Sequence, residues 1–214
     1  MTDITIDLVS DVACPWCAIG YGRLQQALEQ LPEVSTTLTW RAFELNPDPD
    51  ATPEPIVPAL CRKYGATEEQ INDSQRQMMT IASELGLHFD KMESRYTANT
   101  FDAHRLVKWA ATHNSQTPMK LALFDAYFGD AKPVGEHSVL LDCVKAAGLD
   151  TEQAKQVLDS DQFGDDVRRE EQQYQQAGVS SVPAFIINNK YLISGAQEPD
   201  ELAQAIRQIA SENP

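Results

Sequence analysis

Apolar and polar residues alternate along Ile4-Thr5-Ile6-Asp7-Leu8-Val9, the period of a half-buried β-strand. After the short connection Ser10-Asp11-Val12-Ala13 the period changes. Pro15 falls at a first helical position, where its missing N–H costs nothing and its fixed φ helps. Arg23, Leu24, Leu28 and Leu31 carry that helix to Pro32. Residues 34–43 alternate again and are β-branched. They predict a second strand, parallel to the first across the helix, as in a βαβ unit. Residues 46–55 are dense in proline, which excludes helix and predicts a rigid extended linker.

The stretch that follows reads as entirely helical. Thr67-Glu68-Glu69-Gln70 is a capping-box start, and Ile71, Met78, Ile81, Ala82 and Leu85 follow at helical spacing until Gly86. Asn99-Thr100-Phe101-Asp102 starts another helix, with Asn99 as N-cap and Asp102 at the third helical position. Further helices open at Pro118 (to Gly129), at Ser138 (to Ala147) and at Thr151, and a charged one runs from Asp161 to Ala177. The period of two then returns. Pro183-Ala184-Phe185-Ile186-Ile187 is an apolar run opened by a proline, which a strand start tolerates. Asn188-Asn189 is a turn signal, and Tyr191-Leu192-Ile193-Ser194 completes a hairpin. A terminal amphipathic helix carries Leu202, Ile206 and Ile209. The expected organisation is residues 1–55 as one half of an α/β unit, 56–160 as a helical insertion, and 161–214 as the other half.

Composition narrows the function classes. A net charge of −15 on 214 residues argues against nucleic acid, whose phosphates need Lys and Arg, and against anionic membrane surfaces. No apolar run approaches the ~18 residues of a membrane span. The start Met-Thr-Asp lacks the basic and apolar regions of a secretory signal, so the expected location is cytoplasmic. There a lasting disulfide is rare and a C-x-x-C pair is usually catalytic.

That pair is Cys14-Pro15-Trp16-Cys17. Only a thiolate attacks a disulfide, and a helix N-terminus favours an anion through unpaired N–H groups and the helix dipole. Cys14 is therefore the expected nucleophile of lowered pKa. Cys17, one turn deeper, is the expected resolving thiol. A zinc half-site would need a second Cys/His pair; Cys61 and Cys143 are isolated in sequence and read as buried apolar fillers. A permanent bridge closing so small a loop would constrain the unfolded chain little. No bound cofactor or metal is expected. Asp11 and Glu44 read as solvated loop charges, although a buried carboxylate here could take a proton from the resolving thiol. Most X-Pro bonds are trans, and sequence alone gives Val182-Pro183 no other preference.

The order strand, C-x-x-C, helix, then a late V-P-A-F strand, turn, strand and helix resembles the thioredoxin fold. With the long helical insertion, the chain resembles the DsbA-like thiol oxidoreductases, specifically the FrnE-like branch, which is similar to 2-hydroxychromene-2-carboxylate isomerases and kappa-class glutathione transferases. The motifs are Ser10-Asp11-Val12-Ala13-Cys14-Pro15-Trp16-Cys17, Asn99-Thr100-Phe101-Asp102-Ala103-His104-Arg105 and Gly178-Val179-Ser180-Ser181-Val182-Pro183-Ala184-Phe185. The resemblance implies an α/β, thioredoxin-like fold with a large all-helical insertion. It implies a cis Val182-Pro183 bond facing Cys14, with the Val182 backbone pairing with bound peptide or thiol. Pro15 and Trp16 would flank the substrate. It also implies that the helix start at Asn99 and Thr100 points toward the C-x-x-C, with His104 as a candidate proton shuttle. Arg105 reads as a solvated surface residue.

The isomerase and transferase relatives carry serine at the position of Cys14, so disulfide exchange is the leading expectation. The substrate would be a protein or a small-molecule thiol or disulfide, with glutathione as candidate co-substrate. Glutathione-dependent isomerisation or transfer on a small aromatic or polyketide-like compound is the alternative. Trp16 stands where periplasmic DsbA carries a histidine, which implies a milder oxidant. The relatives are often dimers, which leaves a homodimer open.

Overall fold

The computed structural model describes residues 2–212. Strand β1 (Thr2–Ser10) leads through a four-residue loop into helix α1 (Pro15–Glu29), and strand β2 (Val34–Ala42) follows. β2 lies parallel to β1, with Ile6 opposite Leu38 and Leu8 opposite Trp40. The chain then leaves the sheet through helices α2 (Ile56–Tyr64), α3 (Glu68–Glu84), α4 (Phe101–Ala111), α5 (Gln116–Phe124), α6 (His137–Ala146), α7 (Thr151–Leu158) and α8 (Gly164–Gln176). It returns as strands β3 (Ala184–Ile187) and β4 (Tyr191–Ser194) and ends in helix α9 (Pro199–Glu212). The sheet order is β2-β1-β3-β4, with β3 antiparallel to both β1 and β4. Ile6 therefore sits opposite Ile187, a partner brought from the far end of the chain. No helix among the described residues is long and apolar enough to cross a membrane.

The local signals act as their chemistry dictates. Thr67 and Gln70 form the reciprocal capping box of α3. Asn188 and Asn189 take φ of 52° and 54°, which suits the tight hairpin turn that joins β3 and β4. Boundaries differ by one to three residues from the expected ones, the largest offsets being at the end of α1 and the start of α8, and α2, with Pro58 in its first turn, has no strong sequence signal. Helix α5 begins at Gln116 and passes into a π-helical turn at Asp125–Gly129.

The first half of β1 is the half-buried strand that its alternation predicts, with Asp3 and Thr5 exposed, but from Ile6 to Ser10 it is covered on both faces. Ile4, Ile6 and Leu8 join Leu24, Leu202 and Ile206 in the main core. Val9 packs with Phe43, Tyr174, Val179 and Ala184 in a second cluster. Asp7 is buried on that second side because Arg41 donates to it at 2.9 Å and the Tyr174 hydroxyl at 2.9 Å. Glu170 completes this network, accepting from the Ala42 amide at 2.7 Å, from Arg41 at 3.0 Å and from Lys108. Trp40 joins sheet to helices. It is 1% exposed, lies 5.1 Å from the Tyr21 ring and 6.0 Å from Phe124, and its indole N–H donates to Thr117 at 2.9 Å.

Candidate functional site

The loop after β1 places Cys14 at the N-cap of α1, in extended geometry (φ −95°, ψ 110°), with Pro15 opening the helix. The Cys17 amide donates to the Cys14 carbonyl at 3.1 Å and closes the first turn. Cys14 thus sits where unpaired helix amides and the positive dipole end favour a sulfur anion. It is 5% exposed and Cys17 0%; both are free thiols. Trp16 stands beside them with 39% of its surface open.

Facing Cys14 is the loop before β3, in which the Val182–Pro183 bond is cis. The Cys14 Sγ lies 3.6 Å from the Val182 carbonyl oxygen. The Pro183 carbonyl accepts from the Gly195 amide at 2.8 Å, so β4 steadies this loop. Gly20 of α1 lets the two parts approach. A Cβ there would come within 3.0 Å of Pro183 Cγ and 3.3 Å of Phe185 Cζ.

Behind the cysteines lies a buried polar group centred on Asp11, which is 1% exposed rather than solvated. Its Oδ1 accepts from the Ala13 amide at 3.2 Å and the Thr100 hydroxyl at 2.8 Å, and lies 3.4 Å from His104 Nε2. Its Oδ2 accepts from the Leu45 amide at 2.7 Å. Burial pushes this carboxyl up, but His104 and the Leu45 and Thr100 donors outweigh it and hold it below its ordinary value. Burial, helped by the nearby Lys120 charge, keeps His104 below its own ordinary value against the pull of Asp11. A neutral imidazole donating through Nε2 to an ionised Asp11 fits both directions.

This arrangement explains the start of α4. Thr100, not Asn99, occupies the N-cap, and its hydroxyl is committed to Asp11 instead of to the helix amides. Asn99 precedes it and accepts from the Phe101 amide at 3.0 Å, while its own amide reaches Glu44 and the Asp48 carbonyl, each at 3.4 Å. Asp102 consequently falls at the second helical position. Thr100 and His104, 1% and 2% exposed, face Asp11. Arg105 is also buried rather than solvated, donating to Asp102 at 2.7 Å and to the carbonyls of Gln162, Val157 and Ser160.

Three further buried or half-buried charges belong to these surroundings and are not among the residues that the sequence singles out. Lys120 of α5 is 0% exposed, with Nζ 3.5 Å from the Ser10 carbonyl and 5.4 Å from the ring centres of both Trp40 and Phe124. Arg95 is 3% exposed, donates to Gln75 at 2.7 Å and to the Met92 carbonyl, and stacks over Tyr127 and Phe128. Burial pulls its pKa down, while Tyr127 and Cys14 act in the opposite sense. Glu171 faces Glu44, and burial plus neighbouring carboxylates raise each to about 7. Glu44 is itself 7% exposed, so it too is not the solvated loop charge that the sequence suggests. Burial, then Cys14, pushes the Cys17 thiol well above the usual thiol range.

The other two cysteines lie apart. Cys143 is buried, its Sγ 3.6 Å from the Ala122 carbonyl, and it lines a cavity of about 360 Å³ between α5 and α6 that shares no residue with the C-x-x-C. Cys61 is partly exposed on α2, not buried as its sequence context suggests. Among the described residues no cluster of three or more His, Cys, Asp or Glu side chains is placed to hold a metal ion.

The chain is similar to known proteins in sequence and in structure. The chain is 25% identical to the uncharacterized protein YwbO of Bacillus subtilis strain 168, over 95% of this chain and 96% of that one. The probable DsbA oxidoreductase SCO1869 of Streptomyces coelicolor superposes with a TM-score of 0.92 at 30% identity, over 99% of this chain and 91% of that one. The cytosolic disulfide reductase DsbM of Pseudomonas aeruginosa, solved with GSH, shares the fold at a TM-score of 0.65 and 14% identity, over 97% of this chain and 99% of that one. The DSBA-like thioredoxin domain family matches residues 5–207, and a match of that extent, on a thioredoxin-like sheet with its cysteine pair at a helix start, places the chain in this family of thiol oxidoreductases.

Proposed function

We propose that the protein is a thiol–disulfide oxidoreductase in which Cys14 is the nucleophile and Cys17 the resolving thiol. The observation that carries this reading is the placement of Cys14 at the N-cap of α1, 3.6 Å from the Val182 carbonyl, with Cys17 fully buried behind it. The Cys14 thiolate attacks one sulfur of a substrate disulfide. A Cys14–substrate disulfide forms and the other substrate sulfur leaves as a thiolate. Cys17, once deprotonated, attacks the Cys14 sulfur. The Cys14–Cys17 bond forms and the second substrate thiolate departs. The substrate gains two electrons and the cysteine pair loses them; run backwards, the same steps oxidise a dithiol.

Trp16, Pro15 and the Val182–Pro183 backbone form the side open to substrate. Asn99 contributes near the rim, while Thr100 and His104 act through Asp11, which holds the cysteine loop. The substrate is a protein or small-molecule thiol or disulfide, and glutathione, bound in the structure of DsbM, is the natural co-substrate to try. The reducing cytoplasm is the setting in which an unbridged C-x-x-C of this kind operates.

The test is the redox equilibrium of the pair against glutathione in a Cys61→Ser/Cys143→Ser background, read by Trp16 fluorescence and thiol trapping. A reversible two-electron transition is expected, and Cys17→Ser should accumulate a Cys14-linked mixed disulfide. If no intramolecular disulfide forms at any poise, the dithiol mechanism is wrong. Activity that survives Cys17→Ser would point instead to glutathione-dependent isomerisation or transfer.

A further inference from the structure

We infer that Lys120 is the counter-ion of the Cys17 thiolate, the positioning residue that lets a fully buried thiol act as the resolving nucleophile. The inference rests on the mechanism proposed above and adds to it the group that makes its second step feasible.

The second step has an electrostatic obstacle. Cys17 is 0% exposed, and both burial and the adjacent Cys14 favour its neutral, unreactive form. Something must lower the cost of the thiolate. Two influences act in that direction, the charge of Lys120 and the backbone N–H of Asp11.

Lys120 is an expensive residue to keep where it is. Met119, Leu123 and Phe124 on the same helix are all buried and apolar, and a leucine or methionine at 120 would match them. Removing an ammonium from water costs several kcal/mol unless it is well paired. Among the described residues its direct oxygen partner is the Ser10 carbonyl, at the long distance of 3.5 Å. The faces of Trp40 and Phe124 supply the remainder of its surroundings. The charged and titratable groups that face it are Cys17, Asp11 and Cys14, then Glu170 of α8, with His104 of α4 on the same side. Asp11 is already occupied by the Ala13, Thr100, His104 and Leu45 donors. Glu170 is occupied by Arg41, Lys108 and the Ala42 amide. Both carboxylates still act on Lys120 through space, but Cys17 raises its pKa more than any other group does. Burial lowers that pKa to about 8, so the ammonium persists at neutral pH.

In the resolving step the Cys17 proton leaves to solvent, and the thiolate so formed is stabilised through space by the Lys120 ammonium. It attacks the Cys14 sulfur, the Cys14–Cys17 bond forms, and the substrate sulfur leaves with the electron pair of the broken bond. The new disulfide is neutral. Above pH about 8 the ammonium itself loses its proton and this assistance fades.

The experiment uses the full chain in the Cys61→Ser/Cys143→Ser background and 5,5′-dithiobis(2-nitrobenzoate) as the disulfide. Attack by Cys14 releases one nitrothiobenzoate, and resolution by Cys17 releases the second in a step independent of reagent concentration. In Lys120→Met the first release should change less than the second, because Cys17 acts on Lys120 more strongly than Cys14 does. The second should slow by about tenfold at pH 7, with its midpoint moved up by about one unit, since one pKa unit is a tenfold change in thiolate. A second measurement needs no change at Lys120. The second release of the parent protein should bend near pH 8, where Lys120 loses its proton and its assistance to the Cys17 thiolate ends. An unshifted second release in Lys120→Met, or a second release in the parent with no bend near pH 8, overturns the inference. Release of a single nitrothiobenzoate by the unaltered cysteine pair would instead overturn the dithiol mechanism itself.

Discussion

Asp11→Asn isolates the charge and hydrogen bonding of the carboxylate behind the cysteines, because it changes neither size nor shape. Oδ1 serves Ala13, Thr100 and His104, and Oδ2 serves the Leu45 amide. An asparagine can turn its oxygen to one side only. Facing Ala13 and Thr100, it places its NH₂ against the Leu45 N–H, donor against donor. A buried amide left without an acceptor costs about 1–3 kcal/mol, and the bonds that remain lose their charge-assisted strength. Lys120 also loses the nearby carboxylate charge. Together these give a loss of about 3 kcal/mol, which for a chain of this size lowers the melting temperature by roughly 6–12 °C. Urea unfolding of the reduced protein, with and without the substitution, measures the difference. Its pH dependence has a definite sign. The folded pKa of Asp11 lies below its ordinary value, so its stabilisation is fully present above the unfolded pKa and disappears as pH falls through the folded one. The gap between the two proteins should hold from pH 8 to 5 and close below about pH 4. A difference under ~0.5 kcal/mol at pH 7, the range of an ordinary surface substitution, would refute the assignment of Asp11 as the ionised hub of the loop.

Gly20→Ala adds a methyl against Pro183 and Phe185. It should slow disulfide exchange by displacing the Val182–Pro183 loop, while the helix-propensity gain of about 1 kcal/mol offsets much of the packing cost; stopped-flow exchange and urea unfolding separate the two effects. Glu44 and Glu171 are each raised to about 7, so the folded state holds more protons than the unfolded one between pH about 4.5 and 7, and stability falls as pH rises through that window. Because the penalty is shared with Glu171, Glu44→Gln should stabilise the protein by about 1 kcal/mol at pH 8 and by almost nothing at pH 5; equal effects at both pH values would be inconsistent with the raised pKa. Trp40→Phe removes the indole donor to Thr117 and part of the contact with Tyr21 and Phe124. A loss of about 2–3 kcal/mol is expected by urea unfolding.

Much of the frame could be read locally because its signals are local. The period-two runs at Ile4–Val9 and Tyr191–Ser194, the Asn188-Asn189 turn, the Thr67–Gln70 capping box and the proline opening α1 each act within a few residues. The cysteine pair was legible for the same reason. The polar surroundings of the site were not. Asp11, Glu44 and Arg105 look like solvated residues until their partners at Leu45, Asn99 and Val157 are brought next to them by the fold. Lys120 left one trace, a cation within the stretch that runs from Met119 to Leu123 and Phe124 and packs inward. Helix α2 escaped because it is nine residues long and carries Pro58.

The pairing of β1 with β3 also sets a timetable. β2 can join β1 soon after it is made, but the other edge of β1 waits for Ala184–Ile187, about 140 residues later. At typical elongation rates that is roughly 10–30 s with a central strand edge unfilled, and such an edge is a template for pairing with foreign chains. Through the same interval Cys14 emerges with no Val182 carbonyl opposite it. Cys14 therefore leaves the ribosome 168 residues ahead of the carbonyl that faces it, which makes early shielding of this segment a requirement of its synthesis.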